Sequence, residues 1–92
     1  MFVVKIIQGN NKFYIGDEAQ PEAEITFQPS GQDTITIDHT YTDPSLRGQG
    51  IAKELVLKVT DYAKENNLKI IPLCSYARIV MERDDALKQL IK

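Results

Sequence analysis

The sequence predicts an α+β fold in which a curved, mostly antiparallel sheet carries one β-α-β unit and two principal helices. The first half of the chain alternates apolar and polar residues over short runs separated by turns, which is typical of half-buried strands. After Gly50 the apolar residues recur at helical spacing, and a short apolar run then precedes a second helical stretch. The predicted order is therefore β-β-β-β-α-β-α, with the last strand parallel to the fourth.

The predicted strands are short runs that turn residues such as glycine, proline and asparagine separate. They are Val3 to Gln8, Lys12 to Ile15, Ala23 to Gln28, Thr34 to Tyr41 and Leu68 to Leu73. Pro72 has no backbone N–H to donate, so the last strand is predicted at a sheet edge or a bulge. In the fourth strand, strict alternation predicts one face that carries Ile35, Ile37, His39 and Tyr41.

Two principal helices and one short terminal helix are predicted from the second half of the chain. The long helix covers Ile51 to Glu65, and Asn66-Asn67 ends it because asparagine tolerates the left-handed conformation. The second helix runs from Ser75 to Arg83, with Ser75 as its N-cap. Asp84-Asp85 caps a last helical piece from Ala86 to Ile91.

Composition limits the classes of function. The 92 residues suit one domain spanning 1–92, and the net charge of −2 provides no global attraction to nucleic acid or to an anionic membrane. Any phosphate binding must therefore be local. The single Cys74 excludes an intramolecular disulfide, and the spacings of metal sites are missing, so no metal is expected. The first residues lack the long apolar run of a signal peptide or membrane span, and a cytoplasmic monomer is expected.

The segment Arg47-Gly48-Gln49-Gly50-Ile51-Ala52 joins the fourth strand to the long helix. Backbone N–H groups at a helix N-terminus lack partners and the helix dipole is positive there, which suits a diphosphate. Glycine has no Cβ, so a ligand can approach its backbone closely. The longer loop of a P-loop and the third glycine of a dinucleotide fingerprint are both missing from the sequence. A plain strand-to-helix turn is the alternative interpretation.

This turn resembles the pyrophosphate-binding loop of the GCN5-related N-acetyltransferase (GNAT) superfamily, which reads Gln/Arg-x-x-Gly-x-Gly/Ala before a long helix. Gly48 and Gly50 fill the two small positions, while Ser45 stands at the first. Two more segments occur in the same order, His39-Thr40-Tyr41-Thr42 and Ile71-Pro72-Leu73-Cys74-Ser75-Tyr76. Together they resemble the small GNAT-like family with a Cys-x-Tyr segment, over Val3 to Arg83. The usual His-Pro after the second helix is replaced by Glu82-Arg83-Asp84.

The resemblance implies a truncated acyl-CoA N-acyltransferase fold and a small N-acetyltransferase that transfers acetyl from acetyl-CoA to an unidentified amine. Backbone N–H groups of the glycine turn would hold the pyrophosphate, with charge-assisted contacts from the side chains that flank it. The implied coenzyme-binding residues are Tyr41, Thr42, Arg47, Gly48, Gln49, Gly50, Ile51, Ala52 and Lys53. In the superfamily a backbone N–H near Tyr41 or Thr42 polarises the thioester carbonyl.

Three side chains are candidates for the chemistry, and each has a structural alternative. Cys74 would act as general acid or as transient acetyl acceptor, since a following helix lowers a thiol pKa; the alternative is a small buried apolar residue. Tyr76 would protonate the departing thiolate, or else pack in the core. His39 would act as general base toward the acceptor amine, or else be a core histidine.

Two other functions remain open from the sequence. The first is a coenzyme A-binding module with little or no turnover, because the superfamily's N-terminal helices, which form part of the acceptor wall, are lacking. The second is a protein-interaction domain in which the glycine turn is only structural.

Overall fold

The structure is a computed structural model that describes residues 5–92. The strands are β1 (Ile7–Gly9), β2 (Lys12–Gly16), β3 (Pro21–Pro29), β4 (Thr34–Thr42) and β5 (Lys69–Pro72). The helices are α1 (Ile51–Glu65), α2 (Ser75–Glu82) and α3 (Asp85–Lys88), and a 3-10 turn, Pro44–Leu46, precedes α1. Residues 3 and 4 of the first predicted strand lie outside the described residues.

The five strands form one sheet in the order β1-β2-β3-β4-β5. The first three pairings are antiparallel, whereas β4 and β5 are parallel and α1 connects them. The predicted α+β class with one β-α-β unit is therefore confirmed. The strand that contains Pro72 is the last in the sheet order, as predicted, and a single parallel bridge joins Ile70 to Ile91 beside it. Within residues 5–92, none of the helices has the length and apolarity that crossing a membrane requires.

The core lies between α1 and one face of the sheet. The apolar residues of α1 recur at helical spacing, which places them on one side of the helix. The buried positions of α1 are Ile51, Leu55, Val56, Val59, Thr60 and Ala63. The strands contribute Phe13, Ile15, Ala23, Ile25, Phe27, Ile35 and Ile37 to the same core. Thr60 can be buried because its hydroxyl donates a hydrogen bond to the Leu57 carbonyl at 2.8 Å.

A β-bulge interrupts the alternation of β4. Thr26 of β3 pairs with His39, but the next residue, Phe27, pairs with Ile37, so Asp38 is one extra residue in β4. Beyond the bulge the phase of β4 is reversed, because an extra residue moves all later side chains to the other face. The predicted common face of Ile35, Ile37, His39 and Tyr41 is therefore wrong in its second half: Ile35 and Ile37 are buried, while His39 and Tyr41 are exposed.

The helix ends follow from local chemistry, with two corrections. Asn67 adopts a left-handed φ of 56° after α1, as predicted for the asparagine pair. Asp84 caps α3 by accepting the N–H groups of Ala86 at 2.9 Å and Leu87 at 3.3 Å. The N-cap of α2 is Cys74 instead of the predicted Ser75, which is the first helical residue. α3 ends at Lys88, before the predicted Ile91, which instead pairs beside β5.

Replacing Leu55 with alanine should lower the free energy of unfolding by about 2–5 kcal/mol, because the change leaves a cavity between α1 and the sheet. Leu55 is fully buried, with a relative exposure of 0%. Urea unfolding followed by circular dichroism measures the change. The matched control is Lys58→Ala on the exposed side of α1, which should stay within about 0.5 kcal/mol of the wild type. Equal stabilities of the two variants would contradict this account of the core.

Candidate functional site

The parallel strands β4 and β5 separate at Ile37. Their pairing covers Thr34 to Ile37 on β4 and ends with Ile37 opposite Pro72. The Ile37 carbonyl then accepts two N–H groups, from Leu73 at 3.0 Å and Cys74 at 3.2 Å, as the chain turns into α2. β4 continues to Thr42 without β5 beside it. A split therefore opens between the carboxyl ends of two parallel strands, which is where open α/β sheets bind ligands.

The loop after β4 is held by short-range hydrogen bonds around Asp43. Its carboxylate accepts the Ser45 N–H at 2.9 Å and the Ser45 hydroxyl at 2.8 Å. The Ser45 N–H, the Ser45 hydroxyl and the charge of Arg47 lower the pKa of Asp43 below its usual value, against a smaller opposing effect of desolvation. At the base of the loop, the Asp43 N–H donates to the Glu22 carbonyl at 2.8 Å. These contacts fix the loop before any ligand binds.

Two glycines bring the loop into α1 with their backbone exposed. Gly48 has φ of 84° and Gly50, the N-cap of α1, has φ of 75°, conformations that favour glycine. A Cβ added at either position would meet nothing within 4 Å, so open space lies in front of both. The first helical hydrogen bond runs from the Glu54 N–H to the Gly50 carbonyl at 3.1 Å. The N–H groups of the first three helical residues therefore have no partner inside the helix, which is the arrangement that suits an anion.

A cavity of about 610 Å³ lies where the glycine turn meets the split. This volume is in the range of ~300–1,000 Å³ that is typical of small-molecule sites. Its walls come from β4, the loop, α1 and α2. The lining residues are Thr40, Thr42, Leu46, Arg47, Gly48, Gly50, Ile51, Ala52 and Tyr76.

Cys74 is half-buried beside this cavity and forms a hydrogen bond with Thr40, one of the residues that line it. The Cys74 Sγ and the Thr40 Oγ1 are 3.3 Å apart and share a hydrogen bond. Partial burial raises the pKa of the thiol. The Thr40 hydroxyl and backbone amides at Ala77, Tyr76 and Thr40 outweigh that effect, so the pKa of Cys74 lies below its ordinary value. Cys74 is the N-cap residue of α2, which places it near the amides of Tyr76 and Ala77 in the first turn of that helix, while the third amide belongs to Thr40 of β4.

The structure brings most of the predicted coenzyme-binding residues together but not all of them. Those that line the cavity are Thr42, Arg47, Gly48, Gly50, Ile51 and Ala52, and the predicted catalytic Tyr76 joins them. Gln49 is exposed in the loop, and Lys53 lines a neighbouring cavity. Tyr41 and His39 pair with Glu24 and Thr26, on the face of the sheet opposite the core. His39 is exposed, so its interpretation as a core histidine is wrong.

Sequence reasoning missed Thr40 and Leu46 as lining residues. Leu46 is the buried residue of the 3-10 turn. A single apolar residue inside a polar loop did not indicate that its side chain would be buried beside the cavity. Thr40 was missed because strict alternation assigned the odd-numbered residues of β4 to the inner face. Asp38 was the available signal: aspartate is disfavoured in strands, and a bulge at that position moves Thr40 inward.

This combination of a β-α-β split, a glycine turn at the start of the crossover helix and a cavity between them defines a GNAT-type acyl-CoA N-acyltransferase fold. The protein family described as GCN5-related N-acetyl-transferase matches residues 12–90. The chain therefore belongs to the GCN5-related N-acetyltransferase family.

Individual relatives agree with this assignment. The solution structure of a GCN5-like protein from Staphylococcus aureus is 44% identical, with a TM-score of 0.82 over 100% of this chain and 91% of that chain. A predicted acetyltransferase from Clostridium acetobutylicum, crystallised with acetyl-CoA, is 25% identical, with a TM-score of 0.56 over 78% of this chain and 54% of that one. The protein NATD1 from Xenopus tropicalis is 33% identical over 54 residues, which are 59% of this chain. The matched segment spans 50% of the length of NATD1.

Replacing Thr40 with valine should raise the pKa of Cys74, because the hydroxyl that stabilises the thiolate is lost while the side-chain shape is kept. The pH dependence of Cys74 alkylation by iodoacetamide measures this pKa. The wild-type midpoint should lie below that of free cysteine, and the Thr40→Val midpoint should lie above the wild-type one. Thr42→Val is the control, because Thr42 lies on the same face two residues along β4. A midpoint unchanged in Thr40→Val would show that the hydroxyl does not stabilise the thiolate.

Proposed function

We propose that this protein is a small N-acetyltransferase that binds acetyl-CoA and transfers the acetyl group to an amine. The observation that supports this most directly is the pair of left-handed glycines at the N-terminus of α1, facing an open cavity. Belonging to the GNAT family supports the same activity.

The pyrophosphate of coenzyme A would lie against the backbone of residues 48–53. Gly48 and Gly50 leave open the space that a Cβ would occupy, and the start of α1, whose first N–H groups have no partner inside the helix, lines the same cavity. Arg47 adds a positive charge at the cavity wall, where its Nε donates to the Thr42 carbonyl at 3.4 Å. The site fits a diphosphate because it combines a cation with backbone donors that are already fixed.

The pantetheine arm would follow the free edge of β4. Beyond Ile37 this edge is not paired with β5, so its backbone groups can hydrogen-bond to the two amides of a pantetheine. The arm would end near Thr40 and Cys74, which sit at the closed end of the split. Bound acetyl-CoA would supply an activated acetyl thioester at this position.

The surrounding side chains then have distinct roles. The backbone N–H of Tyr41 or Thr42 would polarise the acetyl carbonyl. Tyr76 lines the cavity and would hold the proton that the leaving thiolate needs. Cys74 would accept the acetyl group as a nucleophile, since a lowered thiol pKa makes the thiolate easier to form. His39 would take a proton from the acceptor amine on the outer face of the sheet.

A coenzyme A-binding module with little turnover is the second candidate, and the position of His39 favours it. Thr40, which forms a hydrogen bond with Cys74, pairs with Ile25 on the inner face of the sheet, whereas His39 pairs with Thr26 on the outer face. Because His39 and Cys74 would then lie on opposite faces of the sheet, they can act on the same acceptor amine only if it extends through the split between β4 and β5.

Binding is tested by titrating the ¹⁵N-labelled protein with acetyl-CoA and following its backbone amides. The shifts should concentrate at residues 47–53 and 73–76. Gly48→Ala should weaken binding by about tenfold or more, because its Cβ would enter the space of the pyrophosphate. Gly31→Ala is the matched control: Gly31 also has a positive φ, 128°, and open space around it. It should lose similar stability, about 1–3 kcal/mol, without losing affinity. Equal affinity in Gly48→Ala and wild type would contradict the pyrophosphate assignment.

Turnover is tested with acetyl-CoA and a panel of primary amines and amine-bearing peptides, by measuring release of coenzyme A. Cys74→Ala should lower the rate by at least about 100-fold. Cys74→Ser should be similarly slow, because a serine hydroxyl keeps a bond to Thr40 but is not ionised near neutral pH. Full activity in Cys74→Ser would exclude a thiolate nucleophile. Tight binding with no transfer by the wild-type protein would favour the binding module.

A further inference from the structure

The outer face of the sheet, opposite α1, is open to solvent within residues 5–92. On β3 the buried residues Ala23, Ile25 and Phe27 face the core, whereas Glu24 and Thr26 between them face outward and are half-buried. The buried apolar residues of all three helices belong to the core on the inner side. The outer face also borders the split between β4 and β5, where an acceptor would approach a thioester in the proposed reaction.

Three outward side chains form a row across this face. The register places Tyr14 of β2 opposite Glu24 of β3, and Glu24 opposite Tyr41 of β4. Residues directly opposite each other on antiparallel strands have Cβ atoms about 4.5–5.5 Å apart, so a tyrosine stands on each side of the carboxylate. Tyr41 is 39% exposed, which leaves part of its ring free for a ligand. We call these three residues the Tyr-Glu-Tyr row.

The charges at the row favour a cation. Among residues 5–92, Glu24 takes part in no ion pair. Lys12 lies on the same face, but its Nζ is 3.2 Å from the carboxylate of Glu18, which compensates its charge. The same Nζ is 5.8 Å from the centre of the Tyr14 ring, so one ring of the row already contacts a cation. The row therefore presents an uncompensated carboxylate between two aromatic rings, an arrangement that suits an ammonium group.

The row lies next to His39, the proposed base. Tyr41 and His39 are two residues apart on the outer side of β4, a separation of about 7 Å along a strand. Both belong to the part of β4 that is not paired with β5, so both border the split. An acceptor on this face can present one amine beside His39 while a second cation reaches the row about 7 Å away.

We propose that the acceptor is a linear aliphatic amine with a second ammonium group, which Glu24 binds together with the rings of Tyr14 and Tyr41. This inference rests on the proposed function and names the class of its acceptor. In the transfer, a C–N bond forms at the amine beside His39, the C–S bond to the acetyl group breaks, and the sulfur leaves as a thiolate. The amine proton passes to His39. The second ammonium group keeps its protons and only positions the acceptor.

Binding is tested by titrating the full ¹⁵N-labelled chain with cadaverine, a linear diamine, and with pentylamine, which has the same carbon chain and one amine. Cadaverine should shift the backbone amides of Tyr14, Glu24 and Tyr41 at roughly threefold to tenfold lower concentration, as an exposed ion pair and a cation–π contact allow. Glu24→Gln should remove this difference. Added salt should reduce it in the wild type, because exposed charges are screened.

Turnover is tested by comparing kcat/KM for acetyl transfer from acetyl-CoA to the same two amines. The wild-type protein should prefer cadaverine by roughly threefold to tenfold, beyond the factor of about two that its two amines provide. Glu24→Gln and Tyr14→Leu should each lower this preference by raising KM for cadaverine. Glu65→Gln is the matched control, because it removes an exposed carboxylate of α1 outside the row and should keep the preference.

The two measurements separate failure of this inference from failure of the proposed function. Equal binding of the two amines by the wild type, equal kcat/KM values, or an unchanged preference in Glu24→Gln would each overturn the inference. The proposed function stands in these cases if either amine is acetylated. If cadaverine binds at the row but no amine is acetylated, the proposed function is overturned and only the cation site stands.

Discussion

One extra residue in β4 decides which side chains face the cavity. On the inner face of β3, Ala23 and Ile25 are buried, and their partners on β4 are Thr42 and Thr40. Without Asp38 as an extra residue, His39 and Tyr41 would occupy the inner face instead. Two large rings would then fill the space between the sheet and the glycine turn, and an imidazole would be buried at a cost. The bulge places two small hydroxyl side chains there, and the cavity remains open.

The bulge and the split between the parallel strands occur at the same point of the chain. Pairing of β4 with β5 stops at Ile37, the residue before Asp38. A bulge bends its strand and increases the local twist, so β4 turns away from the direction that β5 follows. The Ile37 carbonyl meanwhile accepts two N–H groups from the chain that leaves β5, which closes the inner end of the split. The position of Cys74 next to Thr40 follows from these two local events.

The sequence predicts the elements of this fold well because most of them depend on local patterns. The apolar spacing of α1, the asparagines after it, and the cap at Asp84 all act within a few residues. The glycine turn was also predictable, since Gly48 and Gly50 have conformations that few other residues adopt. Local patterns, however, do not set strand register.

The sequence-based errors in the site arise because strand register depends on tertiary pairing. In the sequence, His39 and Tyr41 continue the alternation of β4 that places Ile35 and Ile37 inside. Only the pairing of His39 with Thr26, one residue beyond the bulge, shows that they face outward. The place of Lys53 depends on how α2 packs against the start of α1, which brings Arg83 to the same cavity from a distant part of the sequence. No spacing in the sequence connects these two cations.

An acidic chain can bind a polyanion only where donors and cations are concentrated, and in the proposed coenzyme site both lie at the glycine turn. The backbone donors at the start of α1 are neutral and already ordered by the helix and by the contacts of Asp43, so binding orders little more of the chain. The charge of Arg47 is exposed and therefore screened by salt, so it should contribute less to affinity than the backbone donors. If the proposed function holds, affinity for coenzyme A should therefore depend mainly on the backbone of the glycine turn.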